Sequence, residues 1–202
     1  MMPISQISSK QVQNVLEKLE GAPYFLEQLN IQNSEKTSRK TYSFGYNYFS
    51  LLEKNRNYTL IPNYLYELCQ ACIDSFPKEM NLGNAHDYKN AIVSFFEPGY
   101  CLEPHYDADV DRYSEGKMVD FHFGEHILGV ILEADSRGKL YIVKTDNEAQ
   151  RFNAKKILEL DEKVGTTYLM TGAYRHKPYY HGVSLVSRFR VSVTFRTINF
   201  DS

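Results

Sequence analysis

The chain reads as an α+β protein, with an N-terminal part of about 1–90 carrying helices that pack on a two-sheet jelly-roll core of about 91–200. Three observations predict this. Apolar residues recur at helical spacing in two stretches before residue 77. From residue 91 onward, short apolar runs alternate with turn-forming pieces. No long helical pattern returns after that. A length of 202 residues suits a single domain with a core of its own.

Residues 1–8 read as a loose leader, with Ser8 or Ser9 able to cap the helix that follows. Val12, Val15, Leu16 and Leu19 form the apolar stripe of that helix, which ends near Gly21. A short helical patch is expected over 24–29. Residues 32–40 are polar and include Lys36, Arg39 and Lys40, which suits a solvated loop or a lip for phosphates. The run Thr41-Tyr42-Ser43-Phe44-Gly45-Tyr46-Asn47-Tyr48-Phe49 is aromatic and strand-like, and Gly45 marks a bulge or close approach. Its tyrosines either stack on a planar substrate or pack on the outside of the sheet.

After Pro62 a helix is expected over 63–76, with Leu65, Leu68, Cys69, Cys72 and Phe76 on one side. That places Cys69-x-x-Cys72 in the core. A zinc site would need two more ligands, and Cys101 is the only other thiol. Strands are expected at 91–96, 127–132, 140–143, 157–160, 166–170 and 188–196. The polar stretch 109–125 reads as an excursion or lid. His122 and His126 at its end read as solvated or hydrogen-bonded rather than as a second ligand pair. His86 and His176 are left unassigned: His176 is close enough in sequence to His181 to support it, but a surface position is favoured.

Composition narrows the classes. With 23 basic and 25 acidic residues and a net charge of −2, any nucleic-acid contact must come from a local patch. Three cysteines without a secretory signal suit a reducing compartment, so an intracellular protein, cytoplasmic or nuclear, is expected. No run reaches the length of a membrane span, and a monomer is expected.

The chemistry centres on His105-x-Asp107, just after the Pro98-Gly99 turn. In an extended chain, residues i and i+2 share a face, so the imidazole and carboxylate can reach one ion together. His181, in Tyr179-Tyr180-His181-Gly182, offers a third ligand. Two histidines and one carboxylate on one side of an ion leave its other positions open, the pattern of non-haem Fe(II) oxygenases. The strand 188–196 adds to this. It alternates Phe189, Val191, Val193 and Phe195 with Arg190, Ser192, Thr194 and Arg196. Two guanidiniums flanking two hydroxyls form a strip suited to a small dicarboxylate, although one solvated face would produce the same alternation.

On these residues the chain resembles the AlkB-like Fe(II)/2-oxoglutarate dioxygenases over about 44–196. The resemblance is carried by Phe44-Gly45-Tyr46-x-Tyr48, Phe96-x-Pro98-Gly99, His105-x-Asp107-x-Asp109, Gly172-x-x-Arg175, Tyr180-His181-Gly182 and Arg190-x-Ser192-x-Thr194-Phe195-Arg196. It implies a double-stranded β-helix in one domain spanning 1–202. It also implies Fe(II) held by His105, Asp107 and His181, with 2-oxoglutarate and O₂ as cosubstrates. Arg190 would bind the distal carboxylate of the cosubstrate. Arg196 would lie nearer the metal, by the other carboxylate and Asp109. Asp109 would sit beside the reacting base as a catalytic group, with Tyr46, Tyr48 and Arg175 on the substrate side.

The implied reaction is oxidative demethylation of alkylated nucleobases in DNA or RNA, releasing formaldehyde, succinate and CO₂, in repair or modification. The partner would be single-stranded nucleic acid or a free nucleobase. A hydroxylase or demethylase of a protein or small molecule is the alternative, and a cupin-like binding protein without turnover is a further one. Two positions depart from the family pattern. Its Asn-x-Tyr before Pro-Gly is Ser94-Phe95-Phe96 here, and the Asn between its arginines is Ser192. Ser94, Ser192 or a tyrosine such as Tyr141 is expected to supply the missing hydroxyl to the cosubstrate.

Overall fold

The computed structural model describes residues 2–20, 40–46, 59–107, 113–114, 117–118 and 121–200. The N-terminal part holds β1 (Ile4–Gln6), α1 (Ser9–Glu20), β2 (Lys40–Gly45) and α2 (Asn63–Asp74). The strands that follow are β3 (Tyr88–Phe96), β4 (Leu102–His105), β5 (Tyr113–Ser114), β6 (Lys117–Met118) and β7 (Phe121–Glu133). The chain ends with β8 (Leu140–Lys144), β9 (Lys156–Glu159), β10 (Thr166–Met170), β11 (Tyr179–Val183) and β12 (Arg190–Phe200). One antiparallel sheet has the order β1-β10-β7-β12-β3-β2, a second β4-β11-β8-β9, and β5 and β6 form a separate hairpin. Ile127, Ile131, Tyr168 and Met170 of the first sheet pack on Leu140 and Ile142 of the second, which is the two-sheet jelly-roll that was expected.

The helices cover the other face of the larger sheet. Ser8 starts α1 through a capping box: its Oγ accepts from Gln11 N–H at 3.3 Å, and Gln11 Oε1 accepts from Ser8 N–H at 3.0 Å. Val12, Val15 and Leu19 of α1 and Leu65, Leu68, Cys69 and Cys72 of α2 join Val93, Val191, Val193 and Phe195 in one buried cluster. Burial pushes both helix thiols up, Cys72 entirely by that cause and Cys69 with added repulsion from Cys72 and Asp87. The Cys69-x-x-Cys72 pair is core, as its helical spacing indicated. Gly45 has φ +74°, and a Cβ there would lie 2.0 Å from the Lys89 carbonyl oxygen, so the close approach is real.

Several elements differ from the sequence reading. Residues 4–6 are not a loose leader: β1 pairs with β10 at the sheet edge, and Met2 is buried between the sheets. Three residues are too few to show a strand period. The expected excursion ends earlier than Glu125, because β7 begins at Phe121. There it pairs with the end of β12 through Phe123↔Ile198 and His122↔Asn199. Its polar composition hid a strand whose backbone bonds come from a distant partner. Likewise β3 starts at Tyr88 and β12 runs to Phe200. The helical patch at 24–29, the cations Lys36 and Arg39, and residues 47–49 lie outside the described residues. Among the described residues, no helix is long and apolar enough to cross a membrane.

A thiol reagent is therefore expected to label Cys101, which is exposed, in the folded protein and to reach Cys69 and Cys72 only after denaturation. Rapid labelling of either helix thiol under native conditions would contradict this packing.

Candidate metal centre

Strand pairing brings the three predicted ligands together. His105, at the end of β4, stands directly opposite His181 of β11, and their ring centroids are 4.4 Å apart. Asp107 follows two residues after His105, and its Oδ1 lies 3.6 Å from His105 Nε2 and 3.9 Å from His181 Nε2. The ligand atoms of the three residues lie within 4.8 Å of one another, the one such group among the described residues.

The surroundings aim the donor atoms inward. His105 Nδ1 is 2.9 Å from the Glu103 carbonyl, which can only accept, so Nδ1 carries a proton and Nε2 is the nitrogen turned to Asp107. Arg196 donates from Nε (2.8 Å) to Oδ2 of Asp107 and its Nη2 lies 2.7 Å from the same oxygen, which leaves Oδ1 facing both imidazoles. Burial alone would raise the Asp107 carboxyl. Arg196 first, then His181 and His105, hold it well below the usual carboxylate range. Burial lowers His181 to about 3, helped by His105 and opposed by Asp107, so the imidazole is neutral at neutral pH. His181 Nδ1 is buried without a partner among the described residues. Two imidazoles and one ionised carboxylate oxygen fit a divalent first-row ion such as Fe(II).

The interior strip of β12 leads away from these ligands. Ser192 stands opposite Ser94 of β3 and Ile131 of β7, and Arg190 opposite Phe96. Ile131 belongs to the inter-sheet core, so Arg190, Ser192, Thr194 and Arg196 point between the sheets, while Val191, Val193 and Phe195 point to the helices. Arg190 is 1% exposed and donates Nε to Glu162 Oε2 (2.8 Å), Nη2 to Glu162 Oε1 (2.7 Å) and Nη1 to Ser192 Oγ (3.0 Å). Ile92 and Thr194 face each other on the same side and are only half-buried, so the strip is open partway along.

The other expected residues fall variously. Tyr46 packs with Phe123 and Ile198, and Phe123 lies under the Arg196 guanidinium, so an apolar wall stands beside the Arg196–Asp107 pair. Arg175 is buried, donating Nη1 to the Asp107 carbonyl and Nη2 to the Gly124 carbonyl, both at 3.3 Å, and so braces backbone rather than opening to solvent. Tyr141 is a correction. Leu140 and Ile142 point inward, which turns Tyr141 to the outer side of its sheet, under Lys156 and over Gly182. Asp109 and Tyr48 lie outside the described residues. His86 and His176 are exposed, as expected, whereas His126 is half-buried in β7 and its pKa is lowered by that burial.

Two interior residues escaped the sequence reading. Glu162 gave no signal, since it lies in the irregular connection between β9 and β10. Tyr168 of β10 stands opposite Gly129, where a Cβ would meet its Cζ at 2.1 Å, so the ring lies across the glycine toward β12. Burial raises its phenol to about 12, with Arg190, Glu162, Arg196 and Asp107 all acting on it. One hydroxyl thus lies within electrostatic reach of both arginine pairs and keeps its proton at neutral pH.

The sequence matches no family model and no curated protein. The fold does match solved structures. A prolyl-4-hydroxylase of Pseudomonas putida aligns with TM-score 0.57 and 11% identity over 98% of this chain and 92% of that one. A viral collagen prolyl hydroxylase of Paramecium Bursaria Chlorella virus-1, solved with 2-oxoglutarate, gives 0.55 and 13% over 100% and 96%. A Trichoplax adhaerens prolyl hydroxylase, solved with a peptide of hypoxia inducible factor, gives 0.56 and 17% over 99% and 83%. These likenesses establish a prolyl-hydroxylase-type jelly-roll fold. Nothing in them supports the narrower AlkB-like resemblance.

Mn(II) at a hundredfold excess over its Kd is expected to stabilise the protein by about 2.7 kcal/mol. Asp107→Asn should abolish that gain in a denaturant titration. An equal gain in the variant would place the ion elsewhere.

Proposed function

We propose that the chain is an Fe(II)- and 2-oxoglutarate-dependent oxygenase that hydroxylates a peptide or small molecule. The observation that carries this reading is the convergence of His105, Asp107 and His181 at one end of an interior strip that also holds Arg190. When bound, iron supplies the coupling of O₂ reduction and cosubstrate decarboxylation to oxygen insertion at a substrate C–H bond.

The residues have separable roles. His105, Asp107 and His181 hold the ion, and Arg196 keeps Asp107 ionised and turned. Arg190 binds the distal carboxylate of the cosubstrate, with the Ser192 and Tyr168 hydroxyls beside it. Ser94, opposite Ser192, lines the same strip. Tyr46 and Phe123 exclude water on the substrate side and orient the C–H that reacts.

A peptide is favoured because two of the similar structures are a collagen prolyl hydroxylase and a prolyl hydroxylase holding a peptide. Of the basic cluster suggested for phosphates, Lys40 is paired with Glu97. Arg175, expected on the substrate side, is turned to backbone carbonyls. Demethylation of a nucleobase is the second reading and rests on Asp109 and Tyr48.

The test is succinate formation by Fe(II)-loaded protein with 2-oxoglutarate, supplied with proline-containing peptides or a methylated single-stranded oligonucleotide. Peptide-stimulated turnover that is lost in His105→Ala is expected. Stimulation by the oligonucleotide alone, with release of formaldehyde, would replace this reading with the second. Absence of turnover despite bound iron would leave a binding protein.

A further inference from the structure

We infer that Glu162 is a positioning residue that clamps one edge of Arg190 so that its remaining donors select ligands carrying a distal carboxylate. This rests on the proposed function and adds to it a specificity determinant from outside the metal centre and the arginine strip.

The clamp is a built device. Glu162 and Arg190 have side-chain exposures of 0% and 1%, and both carboxylate oxygens are engaged, at 2.7 and 2.8 Å. Glu162 Oε1 also accepts from the Leu140 backbone N–H at 2.8 Å, which ties the carboxylate to β8 of the opposite sheet. The guanidinium is thus held between two sheets, with the Phe96 ring 5.3 Å from its central carbon.

The consequence follows from counting donors. A guanidinium has five N–H groups in a rigid plane. Glu162 takes the Nε–H and one on Nη2, and Ser192 takes one on Nη1, so among the described residues one N–H on each terminal nitrogen is left for another acceptor. Ser192 lies on the side of Arg190 toward Arg196, so the Nη1 end of the fork is directed along the strip toward the metal ligands. Without the clamp, the same cation would turn among rotamers and present no fixed edge. Glu162→Gln sets an amide N–H₂ or a single carbonyl against donors that need two acceptor oxygens, and so releases the fork.

The experiment measures equilibrium binding, by calorimetry, to protein loaded with Mn(II). Two ligands are compared: 2-oxoglutarate, and oxalate, which keeps the chelating oxygens and lacks a distal carboxylate. Glu162→Gln is expected to weaken 2-oxoglutarate by about tenfold or more, the scale of a charged hydrogen bond, while oxalate is unchanged. An equal loss for both ligands would reduce Glu162 to a structural role and overturn the inference. Tighter 2-oxoglutarate binding would also overturn it, by making Glu162 a competitor for Arg190.

If Glu162→Gln does not fold, Arg190→Lys reads the same device. A single ammonium neutralised by Glu162 has no second edge, so the same selective loss is expected, and wild-type affinity would refute the clamp. Wild-type protein that binds oxalate but not 2-oxoglutarate would sink the proposed function itself. Normal wild-type binding with indifferent variants would sink this inference alone.

Discussion

Much of this structure depends on the two-residue period of β12. The strand lies between β7 and β3 in the middle of the larger sheet, so its backbone groups are paired on both sides and its faces are fixed. One face gives Val191, Val193 and Phe195 to the core under the helices. The other puts Arg190, Ser192, Thr194 and Arg196 between the sheets. A slip of one residue would bury two guanidiniums among aliphatic side chains, so the hydrophobic core and the polar strip enforce the same register. The helices α1 and α2 contribute to the site indirectly, by holding the outer face.

Two buried cations between sheets would be very costly if left unpaired. Each has a carboxylate with both partners nearly excluded from solvent: Arg196 with Asp107 and Arg190 with Glu162. The pairs differ in what they spare. Arg196 occupies one oxygen of Asp107 and leaves the other to the imidazoles, whereas Glu162 occupies one edge of Arg190 and leaves donors on the terminal nitrogens. Within each pair the opposite charges cancel. On the proposed reading, a divalent cation and a dicarboxylate then enter with charges that cancel each other. The Tyr168 phenol, kept protonated by burial, is within electrostatic reach of both pairs and can donate to an anion without adding charge.

Local patterns carried much of the reading. The α2 stripe, the burial of Cys69-x-x-Cys72, the close approach at Gly45 and most core strands followed from spacing alone, because 3.6- and 2-residue periods are local properties. The misassignments have separate causes. β1 is only three residues long, and the first half of β7 and the end of β12 are fixed by pairing with each other across the chain. The AlkB-like resemblance matched short motifs in the right order, yet the whole-chain likeness is to prolyl hydroxylases. Metal-ligand spacing is shared widely among such folds and does not choose between them.

What the sequence determined by itself was the set of donors and their parity: His105 with Asp107 on one face, and Arg190 with Arg196 on another, since alternation is dictated by covalent geometry. Tertiary structure decided what those donors meet. It set His181 opposite His105, turned Arg196 onto a single oxygen of Asp107, and placed Glu162 against Arg190 from 28 positions away. It also rotated Tyr141 outward and brought Tyr168 inward over Gly129. Such contacts join residues remote in the chain, and their partners are selected by sheet register and by the demand that every buried charge be paired.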